Sequence, residues 1–369
     1  MSGRGRGCLT RRGLLRLGAG ACCSLAVAGA SAALAGCSAA AGPARGMSQS
    51  TFFAFDTIVD LRAYCTQAML DLARDRCSYF EGILDARTEG TDVWRINHAG
   101  GQEVEVAQET ADVIERSLAY SEASGGLFDV TIGSVSLLWD FDEGVRPEDA
   151  AIEAAVSHVG WQGVSVSGRK VRLADPEAMV DLGGIAKGYI ADDLDSLLSE
   201  HGVTSGILNL GGNVYALGSK PSGEAWRVGV RDPNARSGDG SAAGSGSGDG
   251  SGSGDGSGSS SQEVSAYVEC SGRSVVTSGL YERRFEKDGV AYWHILDPRT
   301  GMPAQSDLVS SSILSERSVD GDAYATILFL LGRDAALSLA EAEPAIEGAL
   351  LEGADGTVTT TPGSGFVVL

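Results

Sequence analysis

The stretch Met179-Val-Asp-Leu-Gly-Gly-Ile-Ala-Lys-Gly188 reads as a short apolar strand ending in an acid, a glycine turn, and a helix with a lysine on its first turn. The first N–H groups of a helix have no partner within it and favour anions, the more so behind flexible glycines. Asp181, those N–H groups and the Lys187 ammonium would surround one spot. Together they describe a phosphate site, with Asp181 within reach of a sugar hydroxyl or a metal. A plain strand–turn–helix corner would use the same glycines, so the rest of the chain has to decide.

Other clusters carry polar groups at suggestive spacing. Ser124-Gly-Gly-Leu-Phe-Asp-Val-Thr-Ile-Gly133 sets an aromatic face beside a carboxylate after a helix, where the glycines also suit a C-cap. Asn209-Leu-Gly-Gly-Asn213 has the form of a tight turn at a strand end. Val276-Thr-Ser-Gly-Leu-Tyr-Glu-Arg283 pairs hydroxyls with a glycine and could cradle an oxyanion. His294-Ile-Leu-Asp-Pro-Arg-Thr-Gly-Met-Pro303 places one of only four histidines three residues before Asp297. Asp320, Asp322 and Thr326 gather at the start of an apolar helix, and Asp322 and Thr326, four apart, share a face. Two oxygens on one face suit a hard cation such as magnesium, although an acid at a helix start is also explained by the dipole.

These clusters need elements to position them. The pattern predicts a strand over 52–63 and helices over 67–85, 108–123 and 147–158. A hairpin turns at Ser167-Gly168, and a helix over 185–200 follows the glycine pair. Strands are expected near 206–210, 226–231, 264–270, 273–277, 290–296 and 309–314. Helices over 322–331 and 335–342 and two short strands complete the chain. Grouped rather than alternating strands and helices point to an α+β fold. Residues 236–262 are almost all Gly, Ser and Asp, cannot bury apolar surface, and read as a solvated insertion between neighbouring strands.

The N-terminus reads as a targeting segment. Thr10-Arg-Arg-Gly-Leu-Leu-Arg-Leu17 is a basic region with a twin arginine, followed by a small apolar run ending in Leu34-Ala-Gly-Cys37. Small residues before a cysteine resemble a lipobox. Residues 1–36 are then a lipoprotein signal of twin-arginine type, Cys37 carries the lipid, 37–46 is a linker, and 47–369 is the working domain. The expected location is the extracytoplasmic face of the cell membrane. Residues 1–36 hold five arginines and no acids, so their removal leaves 23 basic and 49 acidic residues, a net charge of −26. Such a surface excludes nucleic acid as a partner. Cys65, Cys77 and Cys270 remain beyond Cys37, an odd number without metal spacing, with room for one pair at most.

In order and over nearly all of the mature chain, these motifs resemble the FAD:protein FMN transferases, the ApbE family. The matching stretches include Met47 through Phe55-Asp-Thr, Leu138-Trp139, Asp181-Leu-Gly-Gly-Ile-Ala-Lys-Gly188, Trp226-Arg-Val-Gly-Val, Thr277-Ser-Gly and Asp322-Ala-Tyr-Ala-Thr326. Leu280 departs from the pattern, standing where the family usually has a polar residue. The resemblance implies an ApbE-like, T-fold-related architecture with a largely antiparallel sheet and packed helices. It implies magnesium-dependent cleavage of the FAD pyrophosphate, transfer of FMN to a threonine of a target flavoprotein, and release of AMP. It places Met47, Leu127, Phe128 and Asp129 against the flavin and its neighbouring groups, and Asp181 and Lys187 on FAD. It gives the metal to the Gly184 carbonyl, Asp322 and Thr326. His294 becomes the candidate base for the threonine, with Asp297 orienting it. The competing reading is a membrane-anchored protein that only binds FAD, or hydrolyses it without transfer.

Overall fold

A computed structural model describes residues 46–233 and 264–369. The expected signal over 1–36, the lipidated Cys37 and the Gly/Ser/Asp tract over 236–262 lie outside the described residues.

The chain opens with β1 (Met47–Ala54) and β2 (Thr57–Tyr64), an antiparallel hairpin in which Phe53 faces Ile58. The single strand expected over 52–63 is therefore two. The chain reverses at Phe55 and Asp56, both in the left-handed region at φ 54° and 56°. Two such residues suit the twist of a hairpin, but neither is the Gly or Asn that usually marks one. Helix α1 (Gln67–Leu84) buries Leu70, Ala73, Cys77, Phe80 and Leu84, the expected apolar stripe. Helix α2 (Asp92–Asn97) is capped by Thr91, whose side chain accepts from Trp94 N. After β3 (Val104–Glu105), helix α3 (Gln108–Ala123) closes on left-handed Gly125 and Gly126, with Gly126 N donating to Ser121 O at 2.8 Å. Two short helices, α4 (Gly133–Ser136) and α5 (Asp149–Val156), precede the hairpin of β4 (Val164–Ser167) and β5 (Lys170–Leu173), which joins β3 in a small sheet. Its turn residues are Gly168 and Arg169, one position beyond the expected pair.

Helix α6 (Ala186–Glu200) leads into β6 (Gly206–Leu210) and β7 (Asn213–Leu217), a hairpin about Gly211 and Gly212. β8 (Trp226–Arg231) and β9 (Val264–Cys270) flank the tract and pair antiparallel, as expected of neighbours. Then follow β10 (Arg273–Gly279), the separate ribbon β11 (Arg284–Lys287) and β12 (Val290–Trp293), and β13 (Leu308–Ser315). Helices α7 (Ser318–Leu331) and α8 (Arg333–Ala342) precede β14 (Gly348–Gly353), β15 (Val358–Thr360) and β16 (Phe366–Val368).

The main sheet has the order β1-β2-β6-β7-β10-β13-β14-β15, and every neighbouring pair is antiparallel. The α+β expectation with a largely antiparallel sheet holds. Alternation along β6 and β7 explains why both are buried throughout. Leu208, Leu210, Tyr215 and Leu217 join the core on the helical side. Ile207, Val214 and Ala216 meet Trp226, Val228 and Val268 of the sheet β16-β9-β8 on the other face. Helix α7 lies centrally and is apolar nearly all round, as a buried helix must be. It begins at Ser318, earlier than expected, so Asp322 lies inside the helix rather than at its start. Cys65, Cys77 and Cys270 are buried and not joined in disulfides, so the possible pair among them does not form. Among the described residues no helix is long and apolar enough to cross a membrane.

Candidate active site

The two segments that carry most of the predicted chemistry meet where α6 and α7 pack together. Gly188 makes this approach possible. A Cβ there would stand 2.5 Å from Ser318 O and 2.7 Å from Val319 Cα, both backbone atoms. With no side chain in the way, Gly188 N donates to Asp322 Oδ2 at 2.8 Å. The Gly184 carbonyl, one turn earlier, therefore stands outside the helical ladder. Lys187 Nζ lies 3.9 Å from Asp322 Oδ1 and 3.3 Å from Gly183 O, which it bonds. Thr326 Oγ1 is one turn along α7, 3.3 Å from Ser278 Oγ of β10.

The segment before α6 is extended but is not a ladder strand; its one bridge joins Met179 to Ile132. It is fixed by Asn97, whose side chain donates to Val180 O at 2.9 Å and accepts from Val180 N at 2.7 Å. Asp181 N reaches Val130 O, which ties this segment to the Phe128–Asp129 loop. Asp181 accepts from Gly183 N at 2.8 Å and from the Ser136 hydroxyl. The Phe128 ring lies so close to Gly184 that a Cβ there would meet its Cε2 at 3.0 Å. Asp129 is buried, and both its oxygens are engaged, by Thr131 and by Trp161 N.

These residues line one cleft with about 330 Å³ of free volume. Leu127, Phe128, Asp129, Asp181, Gly184, Lys187, His294, Asp322 and Thr326 all face it. Two expected residues do not. Met47 begins β1, at the opposite end of that strand from the turn that reaches the cleft, and it is Phe55 at the turn that lines the wall. Asp297 is committed to Arg299, with Nε at 2.9 Å and Nη2 at 2.7 Å. That pair holds the Asp297 carboxyl below the usual carboxylate range, despite its partial burial. It does not orient His294, whose Nδ1 is buried without a hydrogen-bond partner. Burial, reinforced by the positive charges of Arg283 and Lys187, pushes the His294 imidazole down to about 3.

The cleft also holds groups the sequence did not single out. Arg87 donates to the carbonyls of Ser136, Leu137 and Trp139 at the C-terminal end of α4. Glu282 stands over the Gly211–Gly212 turn, its carboxyl raised by desolvation while Lys187, Arg231 and Arg283 draw it down. Arg283 reaches Asp56 at 3.6 Å, linking the β11 side of the cleft to the β1–β2 turn. Their adjacency arises from tertiary packing, and only Glu282 and Arg283 lay within a motif already singled out.

The arrangement is a pocket with one apolar wall, a helix start, a lysine, and a buried carboxylate beside two hydroxyls. Fold and cleft together define a protein that takes an aromatic ligand with an anionic group, suited to phosphoryl chemistry. The model of the ApbE family matches residues 55–350, and the chain belongs to that family. It is 36% identical to the FAD:protein FMN transferase of Treponema pallidum over 285 residues, 72% of each chain. A protein of the same name from Klebsiella pneumoniae is 30% identical over 336 residues, covering 84% of this chain and 87% of its own. The crystal structure of the ApbE protein of Thermotoga maritima superposes with a TM-score of 0.73 at 27% identity, over 86% of this chain and 97% of that one. The flavin transferase ApbE of Vibrio cholerae shares the fold at 22% identity, with a TM-score of 0.71 over 87% of this chain and 98% of its own.

Proposed function

We propose that the chain is an FAD:protein FMN transferase. It would bind FAD in the cleft, open the pyrophosphate, and join FMN by a phosphoester bond to a threonine hydroxyl of a target flavoprotein, with AMP as the leaving group. The observation that carries this reading is the convergence of the α6 start, Lys187, Asp322, Thr326, Phe128 and His294 on one cleft.

The roles follow from the surroundings. Leu127 and Phe128 offer apolar surface to the flavin, and Asp129 shapes the loop that presents them. Lys187 and the positive end of the α6 dipole answer the pyrophosphate charge, which matters in a protein of net charge −21; the N–H groups of Ala186, Gly188 and Tyr189 are already taken by Leu182, Asp322 and Ile185. Asp181, held by Ser136 and Gly183, is placed for a polar group of FAD. Phosphoryl transfer depends more on positioning and charge neutralisation than on covalent chemistry from the protein.

Magnesium fits the donor set. Among the described residues no group of three or more His, Cys, Asp or Glu side chains is arranged for a metal. The Gly184 carbonyl outside its ladder, the buried Asp322 carboxylate and the Thr326 hydroxyl are instead mixed oxygen donors of the kind a hard cation takes. Bound there, the ion would neutralise charge on the phosphate oxygens. Burial holds His294 neutral, so it can take the threonine proton, as a weaker base than an exposed imidazole; a base matched to the operating pH is worth roughly 10²–10⁴ in rate. Attachment to the extracytoplasmic membrane face through lipidated Cys37 rests on the sequence motif; two acyl chains suffice for stable anchoring.

The test is to incubate the mature domain with FAD, magnesium and a flavin-acceptor domain and to read the acceptor's intact mass. A gain of one FMN phosphoester, lost without magnesium, is expected. AMP release without a mass gain would make the protein a hydrolase. Tight FAD binding with neither product would make it a binding protein.

A further inference from the structure

The N-terminus of α7 is not capped by its own sequence. Its N-cap position, Arg317, makes no side-chain cap. The first N–H groups are met instead from another helix. Asp192 of α6 accepts from Ser318 N at 2.6 Å through one oxygen and from Val319 N at 3.1 Å through the other. A carboxylate at this place also opposes the positive end of the α7 dipole. Four residues earlier on α6, Gly188 N reaches Asp322, four residues later on α7. The two helices are thus joined by two rungs of one antiparallel ladder.

Ser318 is the fixed point of this arrangement. Its hydroxyl donates to Asn213 Oδ1 at 2.6 Å and accepts from Ser274 Oγ at 2.8 Å, so β7 and β10 grip the same residue. Burial pushes the Asp192 carboxyl up to about 6, opposed by its two N–H bonds.

We propose that Asp192 is a positioning residue for the cation-holding pair: by capping α7 it sets the distance from Asp322 and Thr326 to Gly184 and Lys187 on the α6 side. Asp192 touches neither ligand nor reacting atoms and acts through the placement of α7. The inference rests on the reading of Asp322 and Thr326 as oxygen donors to a divalent cation.

The experiment measures Mn²⁺ binding to the mature chain with FAD present, by the loss of the free-ion paramagnetic resonance signal. Metal-free FAD binding is followed in parallel by flavin fluorescence. Asp192→Ala and Asp192→Asn are compared with Asp195→Ala. Asp195 lies on the same helix and accepts from the Tyr215 hydroxyl at 3.1 Å, away from the α7 cap. Asp192→Ala should weaken Mn²⁺ binding about 10- to 100-fold, the range seen when supports of metal ligands are removed. Asp192→Asn, which keeps one acceptor and removes the charge, should lie between it and the parent even where the alanine variant folds poorly. Metal-free FAD affinity and the Asp195→Ala metal affinity should match the parent. Unchanged Mn²⁺ binding in both Asp192 variants would overturn the positioning role alone, as would equal losses in Asp192→Ala and Asp195→Ala. Failure of the parent to bind Mn²⁺ would remove the donor assignment beneath it as well.

Discussion

The two walls of the cleft are built differently. On one, α6 and α7 are joined by Gly188 N to Asp322 and by Asp192 to the α7 start, and nearly every polar group has a partner. On the other, Glu282, Arg283 and His294 line the cleft from the two ends of β11 and β12, a ribbon outside the main sheet. Phe285 and Tyr292 of that ribbon pack on Trp139 and Phe141, and an exposed Asp56–Arg283 pair ties its base to the β1–β2 turn. His294 follows directly, with Nδ1 unpartnered. The first wall is set in advance for charge, as phosphoryl transfer requires. The second ends in a buried imidazole with no hydrogen-bond partner at Nδ1 among the described residues, the group proposed above to take the threonine proton.

The largest effect should come from the first wall. Asp322→Ala removes the buried carboxylate and should slow magnesium-dependent FMN transfer by about 10³-fold, corresponding to several kcal/mol of charge stabilisation. Quantified acceptor mass gain per unit time checks this. On the second wall, His294→Ala should slow transfer about 10²-fold, the low end for a base with so depressed a pKa, while flavin fluorescence reports unchanged FAD affinity. Loss of FAD binding would instead make His294 part of the binding surface.

His294 also provides a pH test. An unfolded histidine titrates near pH 6.5, whereas the folded imidazole is pushed down to about 3. Between these values the unfolded chain binds the proton and the folded chain does not. Stability associated with the neutral ring is therefore intact above the unfolded pKa and declines as pH falls toward the folded one, by at most about 1.4 kcal/mol per pH unit. His294→Gln should show a shallower fall in melting temperature from pH 6 to pH 4 than the parent. Parallel curves would contradict the burial of a neutral ring.

Gly188→Ala probes the helix contact itself. Its added Cβ meets backbone that cannot swing aside, and a loss of about 1–3 kcal/mol in denaturant unfolding is expected for such overpacking. The smallest effect belongs to the rim. Asp56→Asn keeps a residue that tolerates the left-handed turn, breaks an exposed pair at 3.6 Å, and should change stability by less than about 1 kcal/mol.

The first wall was largely legible in the sequence because its parts are local: an acid, two glycines and a lysine at a helix start, and Asp322 and Thr326 one turn apart. What joins them was not. Gly188 and Asp322 are 134 residues apart, and no spacing encodes their contact. The start of α7 was placed too late because its cap comes from Asp192 on another helix. The second wall was less legible. A turn of Phe55 and Asp56 in the left-handed region carries no glycine signal, so one strand was expected where a hairpin stands, and this hairpin meets the cleft through Phe55 and Asp56 at its turn rather than through Met47. The family resemblance offered Asp297 as a partner for His294, but Arg299, two residues on, takes its carboxylate.

The most direct test of the central claim, that the α6–α7 wall performs the transfer, is the acceptor's intact mass after reaction with parent and Asp322→Ala proteins at saturating FAD and magnesium. The account predicts one added FMN per acceptor with the parent and almost none with the variant over the same time, while the variant still quenches flavin fluorescence. Full-rate transfer by Asp322→Ala would contradict it.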